Sequence, residues 1–446
     1  MTQLTLWLGQ WQFFGGLGFV LVCLALELGL AWVLLWFRLR TGNSVHTGWL
    51  EAYRFWARVF TLTQALGFGA GLLVVLQFAA LWSGLAERAG DVLGPLVVWV
   101  VAGFFITRTV ALGFMLFGHR RLSTMLHTLA VGAVALGSTF TLFLMLALLA
   151  WLQTPSGIHL FNAEFVVVDP WKVVFNPFLF PLLALFLAIS LSLCAWLMLA
   201  VVAMKSVSKP RTAASRVTCR TALFMAVAGL LLHGAATVAV VAHDKNHLPA
   251  RAAATAGYWN SAGPPDLDVV AWPSASRQAN RTLWRWRDGA RFFLGQDEQG
   301  NWMGLDQYSG MTPPVAATFW SFRVMLISSA LLMLIALWLV STGRRHSFDL
   351  TPLSGYGLRV LGGVSSLSLL LSVASLAWIF LGTLPYAIGG TVTYSEVLSD
   401  ISLTEVAIGL LLHAACLATL TAGFVLLVRH AIRHGVIPVK RNRRLA

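Results

Sequence analysis

Long apolar runs separated by short polar breaks set the pattern of this chain. Nine runs, at about 11–37, 57–82, 94–117, 126–151, 178–203, 219–242, 317–341, 358–384 and 402–428, have the length of a membrane-crossing helix, which takes about 20 apolar residues. One polar stretch is long, 243–316, between the sixth and seventh runs. It carries Trp259, Trp272, Trp284, Trp286 and Trp302 among turn-forming Gly and Pro, which is too aromatic for disorder and predicts a folded cap on one membrane face. The first run is too long for the apolar region of a signal peptide and has no small-residue cleavage site after it, so it reads as a span. The chain therefore divides into helices one to six (1–242), the cap segment (243–316), and helices seven to nine with a basic tail (317–446). No repeat of solenoid length and no broken helix is evident.

Composition agrees with an all-α membrane protein: 58% of the 446 residues are hydrophobic, 11% are charged, and the mean hydropathy is +0.77. A soluble domain of this size carries about a quarter charged residues. The net charge of +14 invites a nucleic-acid partner, but its distribution argues for topology instead. Alternate loops and the tail hold Arg38, Arg40, Arg54 and Arg58; Arg120 and Arg121; Lys205, Lys209, Arg211, Arg216 and Arg220; Arg344, Arg345 and Arg359; and Arg429, Arg433, Lys440, Arg441, Arg443 and Arg444. The short loops on the other side hold Arg88 and Lys172. The positive-inside rule then predicts an inner (plasma) membrane protein of bacterial type, N-terminus outside and C-terminus cytoplasmic, with the cap outside and a lipid bilayer around it. The cysteines, Cys23, Cys194, Cys219 and Cys416, lie in or beside apolar runs at no metal-ligand spacing, and no disulfide is expected.

The chemistry-bearing candidates lie inside the spans. A charge at a helix centre costs about 2.5–3.5 kcal/mol, so Glu27, Arg108 and Arg323 each need a reason. At about 1.5 Å per residue, Glu27 and Arg108 lie about 24 and about 20 Å deep, which matches a structural ion pair; separate polar contacts, or Arg108 on a lipid or cofactor carboxylate, are the alternatives. His233, His413 and Met325 share a depth of about 12–17 Å. Each histidine is either a hydrogen-bonded helix-interface residue or, with Met325, an axial ligand of a low-spin heme. Met325 beside Arg323 also reads as a thioether filling a gap next to a snorkelling cation. The sequence holds no nucleotide loop, no His-Glu-x-x-His helix and no nucleophile triad.

Several segments resemble subunit I of the cytochrome bd quinol oxidases. They include Phe55-Trp56 with Ala65-Leu66-Gly67 through Gln77-Phe78, Gly118-His119-Arg120-Arg121-Leu122 and Ala135-Leu136-Gly137-Ser138. Trp151-Leu152-Gln153-Thr154-Pro155, Asn176-Pro177, Leu248-Pro249-Ala250-Arg251-Ala252-Ala253 and Tyr258-Trp259 continue the likeness. Gly304-Leu305-Asp306-Gln307-Tyr308, Pro313-Pro314-Val315-Ala316 and Phe319-Trp320-Ser321-Phe322-Arg323-Val324-Met325 complete it. Nine helices with a large outer loop between six and seven is also that family's plan.

The resemblance implies quinol oxidation at the outer face and oxygen reduction at a heme pair, with a low-spin heme b, a high-spin heme b and heme d. It places Met325 on the low-spin heme's methionine ligand, Arg323 on the neighbouring arginine, Trp378 on a tryptophan near the hemes and Arg251 on the quinol-loop lysine. Elsewhere the family's pattern is lost. The first-helix histidine falls near Gly18 and the fifth-helix histidine near Leu185. The third-helix glutamates fall on Trp99 and Thr107, the second-helix glutamate on Val75 and the quinol-loop glutamate on Ala256, and Gly-Arg-Gln-Pro-Trp reads Gly382-Thr383-Leu384-Pro385-Tyr386. None of these can replace an imidazole or a carboxylate at iron. High-spin heme b and heme d are therefore not expected. The reading is a redox-degenerate paralogue, a structural subunit paired with another membrane subunit, with quinol at its loop as a further partner. The alternatives are an electron-transfer subunit holding one heme b on Met325 and His233 or His413, and a membrane transporter or carrier.

Overall fold

The computed structural model describes residues 3–41, 48–118, 122–208, 212–348 and 353–434. The loop and tail cations Arg120, Arg121, Lys209, Arg211, Lys440, Arg441, Arg443 and Arg444, and His119 of the third-turn motif, lie outside them.

Among the described residues nine helices are long and apolar enough to cross a membrane. Helix one spans Gln3–Thr41, helix two Gly48–Leu81, helix three Ser83–Phe117 and helix four Thr124–Gln153. A helical turn at Pro170–Val174 precedes helix five, Leu179–Ser208. Helix six spans Ala213–His247, helix seven Val315–Arg345 and helix nine Leu403–His434. Helix eight is two pieces, Gly355–Val364 and Leu367–Leu381. This corrects the expectation of unbroken helices. At the joint, Ser365 and Ser366 turn their hydroxyls back onto the carbonyls of Leu361 and Gly363, a competition with the backbone ladder that bends helices. Helix three carries a kink at Ala89 and a wide turn at Thr107–Ala111.

Helix five is the most enclosed, with 83% of its central apolar stretch buried, and helix nine the least, with 11%. Lipid supplies no hydrophobic drive between helices, so close contact rests on small residues and interhelical hydrogen bonds. Gly29 of helix one shows both. A Cβ there would lie 2.6 Å from the Cβ of Cys194, and one turn away the Ser190 hydroxyl donates to the Ala25 carbonyl at 2.7 Å. The four cysteines are free thiols.

Three two-stranded antiparallel pairs lie between helices: β1 (Ile158–Phe161) with β2 (Glu164–Val167), β3 (Leu267–Ser274) with β4 (Ala279–Trp286), and β5 (Tyr386–Ile388) with β6 (Val392–Thr393). The cap has a small core of its own, with Ala253, Ala256, Tyr258, Leu267, Leu294 and Leu305 buried together. Its α-helix, Pro249–Ala256, stops at Gly257, whose φ of +72° favours glycine. Asn280, the acceptor residue of an Asn-Arg-Thr sequon, has its amide nitrogen on Gly257 O at 2.6 Å and Asp268 Oδ2 at 2.7 Å.

Candidate functional site

The candidate residues fall into three groups. The first lies where the cap meets helices four, six, seven and eight. Arg251, 1% exposed, sits on the cap helix two residues after Pro249. Its Nε donates to Asp244 Oδ2 at 2.8 Å and its Nη2 to Asp244 Oδ1. Its Nη1 donates to Gln153 Oε1 at 2.6 Å and to the Ile379 carbonyl at 3.0 Å. One guanidinium thus ties the ends of helices four, six and eight together. Gly382 gives it room, since a Cβ there would lie 2.5 Å from Arg251 Cδ. His243 bonds the same carboxylate at 3.3 Å and stacks on His247 with ring centroids 4.5 Å apart. Asp244 and His243 were not singled out from the sequence. The seven-residue spacing from Asp244 to Arg251 across Leu248-Pro249 was the available signal.

Arg323 makes a second clamp. Its Nε donates to the Val269 carbonyl at 2.7 Å, Nη1 to Thr255 and Phe319 carbonyls at 2.9 Å each, and Nη2 to the Asp268 carbonyl. It therefore fastens β3 and the cap helix to helix seven through backbone oxygens. Trp378 joins this group, its Nε1 donating to Thr255 Oγ1 at 2.9 Å and its ring centroid 4.9 Å from that of Phe322. Met325 follows Arg323 by half a turn and is fully buried in the apolar core that also holds Leu185.

The second group is in the membrane interior. Arg108 sits on the wide turn of helix three, where an extra residue per turn often marks a functional position. Its Nη2 donates to Glu27 Oε1 of helix one and its Nε to Gln64 Oε1 of helix two. The guanidinium lies over the Phe104 ring. Glu27 and Arg108 side chains are 5% and 12% exposed. Gly67 opens the space, a Cβ there falling 3.0 Å from Glu27 Oε1.

The third group is the two histidines within spans, His233 of helix six and His413 of helix nine. His233 Nε2 is 3.1 Å from Ser375 Oγ, and that hydroxyl already donates to Leu371 O at 2.7 Å. The imidazole must then be the donor, so its Nε2 carries a proton and is closed to a metal. His413, 7% exposed, lies against Gly16 of helix one and makes no side-chain bond at Nε2 among the described residues. Gln77 Oε1 faces the same glycine, and Gln12 lies beside Gly409 one turn before His413.

Among the donors singled out for a low-spin heme, His413 alone keeps its Nε2 without a partner among the described residues. Met325 offers a thioether, His233 is committed to Ser375, Leu185 is aliphatic, and Arg323 and Trp378 are engaged with the cap. Among the described residues no three His, Cys, Asp or Glu side chains gather as for a metal ion. Of the positions at which the resemblance implies carboxylates in helices two and three, Val75 is 55% and Trp99 61% exposed, whereas Thr107 is buried at 7%.

This is a multi-pass helical membrane protein with a folded cap between helices six and seven. The family model for cytochrome bd terminal oxidase subunit I matches residues 8–436, and the chain belongs to that family. It is 24% identical over 367 residues to the cytochrome bd ubiquinol oxidase subunit 1 of Bacillus subtilis (strain 168), covering 79% of this chain and 77% of that protein. It is 28% identical over 291 residues to the cytochrome bd-II ubiquinol oxidase subunit 1 of Escherichia coli (strain K12), covering 61% of this chain and 54% of that one. The fold is shared with the structure of bd oxidase from Geobacillus thermodenitrificans at a TM-score of 0.84 and 19% identity, over 97% of this chain and 99% of that one.

Proposed function

We propose that this quinol oxidase family member is a redox-silent structural subunit, paired in a bd-type or related respiratory complex with a second membrane subunit that carries the hemes. The carrying observation is the engagement of Arg251. Standing where the resemblance implies a quinol-loop lysine, it is buried and commits four hydrogen bonds to Asp244, Gln153 and Ile379. Arg323, Trp378 and His233 are likewise bonded within the chain, which supports packing roles over heme contacts. Substitution of the remaining ligand positions by Gly18, Leu185, Trp99, Thr107 and Val75 points the same way. In this reading the apolar outward faces of helices two, three and nine, with Val75, Trp99, Phe105 and Leu412, meet lipid and the partner subunit. The cap and the N-terminus face outside, as the loop arginines imply.

The test is purification from native membranes followed by a pyridine hemochrome assay on each separated subunit. The expected result is a heme-free chain that brings down a heme-bearing membrane protein. A stoichiometric heme b on this chain, lost in Met325→Leu, would overturn the proposal.

A further inference from the structure

The β3–β4 hairpin of the cap has a surface that a water-facing element rarely carries. Trp272, Leu283, Trp284 and Trp286, with Phe292 of the turn that follows stacked on Trp286, are each between 52% and 68% exposed. Exposed apolar side chains gathered in one element mark contact with something other than water.

The position of the hairpin identifies the contact. Arg323 lies eight residues into helix seven, about 12 Å along its axis, yet its guanidinium holds the carbonyls of Asp268 and Val269 in β3. Trp272 of β3 meets Trp320 of the same helix edge to face, centroids 5.6 Å apart. The hairpin therefore runs beside the first turns of a membrane-spanning helix, at the level of the headgroups, and does not stand clear of the bilayer.

Its charges fit that level. Asp268 is matched by Arg285 and Asp288 by Arg291. Arg277, Arg281 and Arg287 are exposed on the hairpin against one further carboxylate, Asp266. Tryptophan and arginine together are the residue types of a membrane interface, the indole at headgroup depth and the cation on lipid phosphate.

We propose that the β3–β4 hairpin is an interfacial anchor, its indoles seated in the bilayer leaflet on the cap side and its arginines on anionic headgroups. It holds the cap down on the membrane.

The test uses the complete chain with its accompanying subunits, in lipid nanodiscs. Cys416, the one exposed thiol, is first changed to Ser. Spin labels are then placed at Leu283→Cys and Trp284→Cys, with Gln299→Cys, on an exposed turn elsewhere in the cap, as the water-facing control. Power saturation compares collision with oxygen, which partitions into lipid, against a water-soluble nickel chelate. The expected result is an oxygen-to-nickel ratio several-fold above the Gln299 control, larger in phosphatidylglycerol than in phosphatidylcholine discs. The lipid dependence should disappear when Arg277, Arg281 and Arg287 are all changed to Gln. A ratio equal to the control would overturn the proposal by placing the hairpin in water. Low collision with both reagents would overturn it in favour of a protein partner covering the hairpin. A raised ratio that ignores the headgroup would overturn the anionic-lipid part.

Discussion

Two buried polar regions of this protein differ in how far their polar atoms are paired, although Gln153 Nε2 in the better paired one also lacks a partner among the described residues. Where the cap meets helices four, six, seven and eight, Arg251 and Arg323 each make four hydrogen bonds to carboxylate, amide and carbonyl oxygens. At the corner of helices one, two and nine, Gln12, Gln77 and His413 are 5–7% exposed, and Gln12 Oε1, both polar atoms of Gln77 and His413 Nε2 have no partner among the described residues. A buried polar group that is paired rigidifies its surroundings; one left unpaired costs about 1–3 kcal/mol. The cap junction is therefore the part of the molecule that cannot be altered singly. The corner is the part where polarity works against stability in the isolated chain.

The largest effect should come from stranding a charge at the junction. Arg251→Met leaves the Asp244 carboxylate buried beside His243 without its guanidinium, and should lower stability by about 3–5 kcal/mol. Adding Asp244→Asn removes the stranded charge and should recover most of the loss. Thermal unfolding followed by tryptophan fluorescence in one detergent measures both. If the double variant is worse than Arg251→Met, the junction is not organised around this pair.

Glu27 and Arg108 come next. Glu27→Gln leaves the Arg108 charge deep in the bundle with Gln64 as its remaining neutral partner, and Arg108→Gln leaves the Glu27 carboxylate there without its cation, each at a cost of about 2.5–3.5 kcal/mol. The two should not add, because the second substitution removes the charge the first one stranded. Additive losses would mean that the two residues act independently despite their contact.

What the sequence made legible follows the same division. The nine spans were readable because crossing a bilayer demands about 20 apolar residues and little else. Helix ends were not. Helix three starts at Ser83, about eleven residues before its apolar run, because Glu87, Arg88 and Asp91 continue the helix in polar residues that a hydropathy pattern cannot register. The break in helix eight was hidden because its cause, two serine hydroxyls, lies inside an apolar run. Arg323 and Trp378 could be singled out by residue type, but the partners of Arg323 are carbonyls, which every residue carries and no sequence pattern marks. Glu27 and Arg108 were matched by depth alone, since charges at equal depth in a bundle have few other places to go. The corner was half visible: His413 stood out as an imidazole within a span, whereas Gln12 and Gln77 have no charge to draw attention.

That corner predicts a gain. Gln77→Leu and His413→Leu keep roughly the side-chain volume while removing unpaired polar atoms facing Gly16. Each should raise the thermal stability of the isolated chain by about 1 kcal/mol, against the general trend that core substitutions destabilise. A loss of more than that would show that these groups find partners in the folded protein and would erase the contrast with the junction.

The smallest effect tests the rule in water. Glu396, between β6 and helix nine, accepts the Thr393 hydroxyl at 2.7 Å and its N–H at 3.1 Å, and meets Arg88 at 2.8 Å. The Thr393 hydroxyl first, then its N–H, then Arg88 hold the Glu396 carboxyl below the ordinary carboxylate range. A depressed folded-state value contributes stability that is fully present above the ordinary range and is lost as pH falls through the depressed one. Since the Arg88 and Glu396 side chains are 32% and 41% exposed, the contribution is screened to a few tenths up to about 1 kcal/mol. Glu396→Gln should therefore lower the melting temperature slightly at neutral pH and have no effect once the pH is below the carboxyl's depressed value. A deficit that persists in acid would trace the loss to the capping geometry of Thr393 and not to charge. Solvent, which leaves this pair little to contribute, is what the buried Arg251–Asp244 pair lacks.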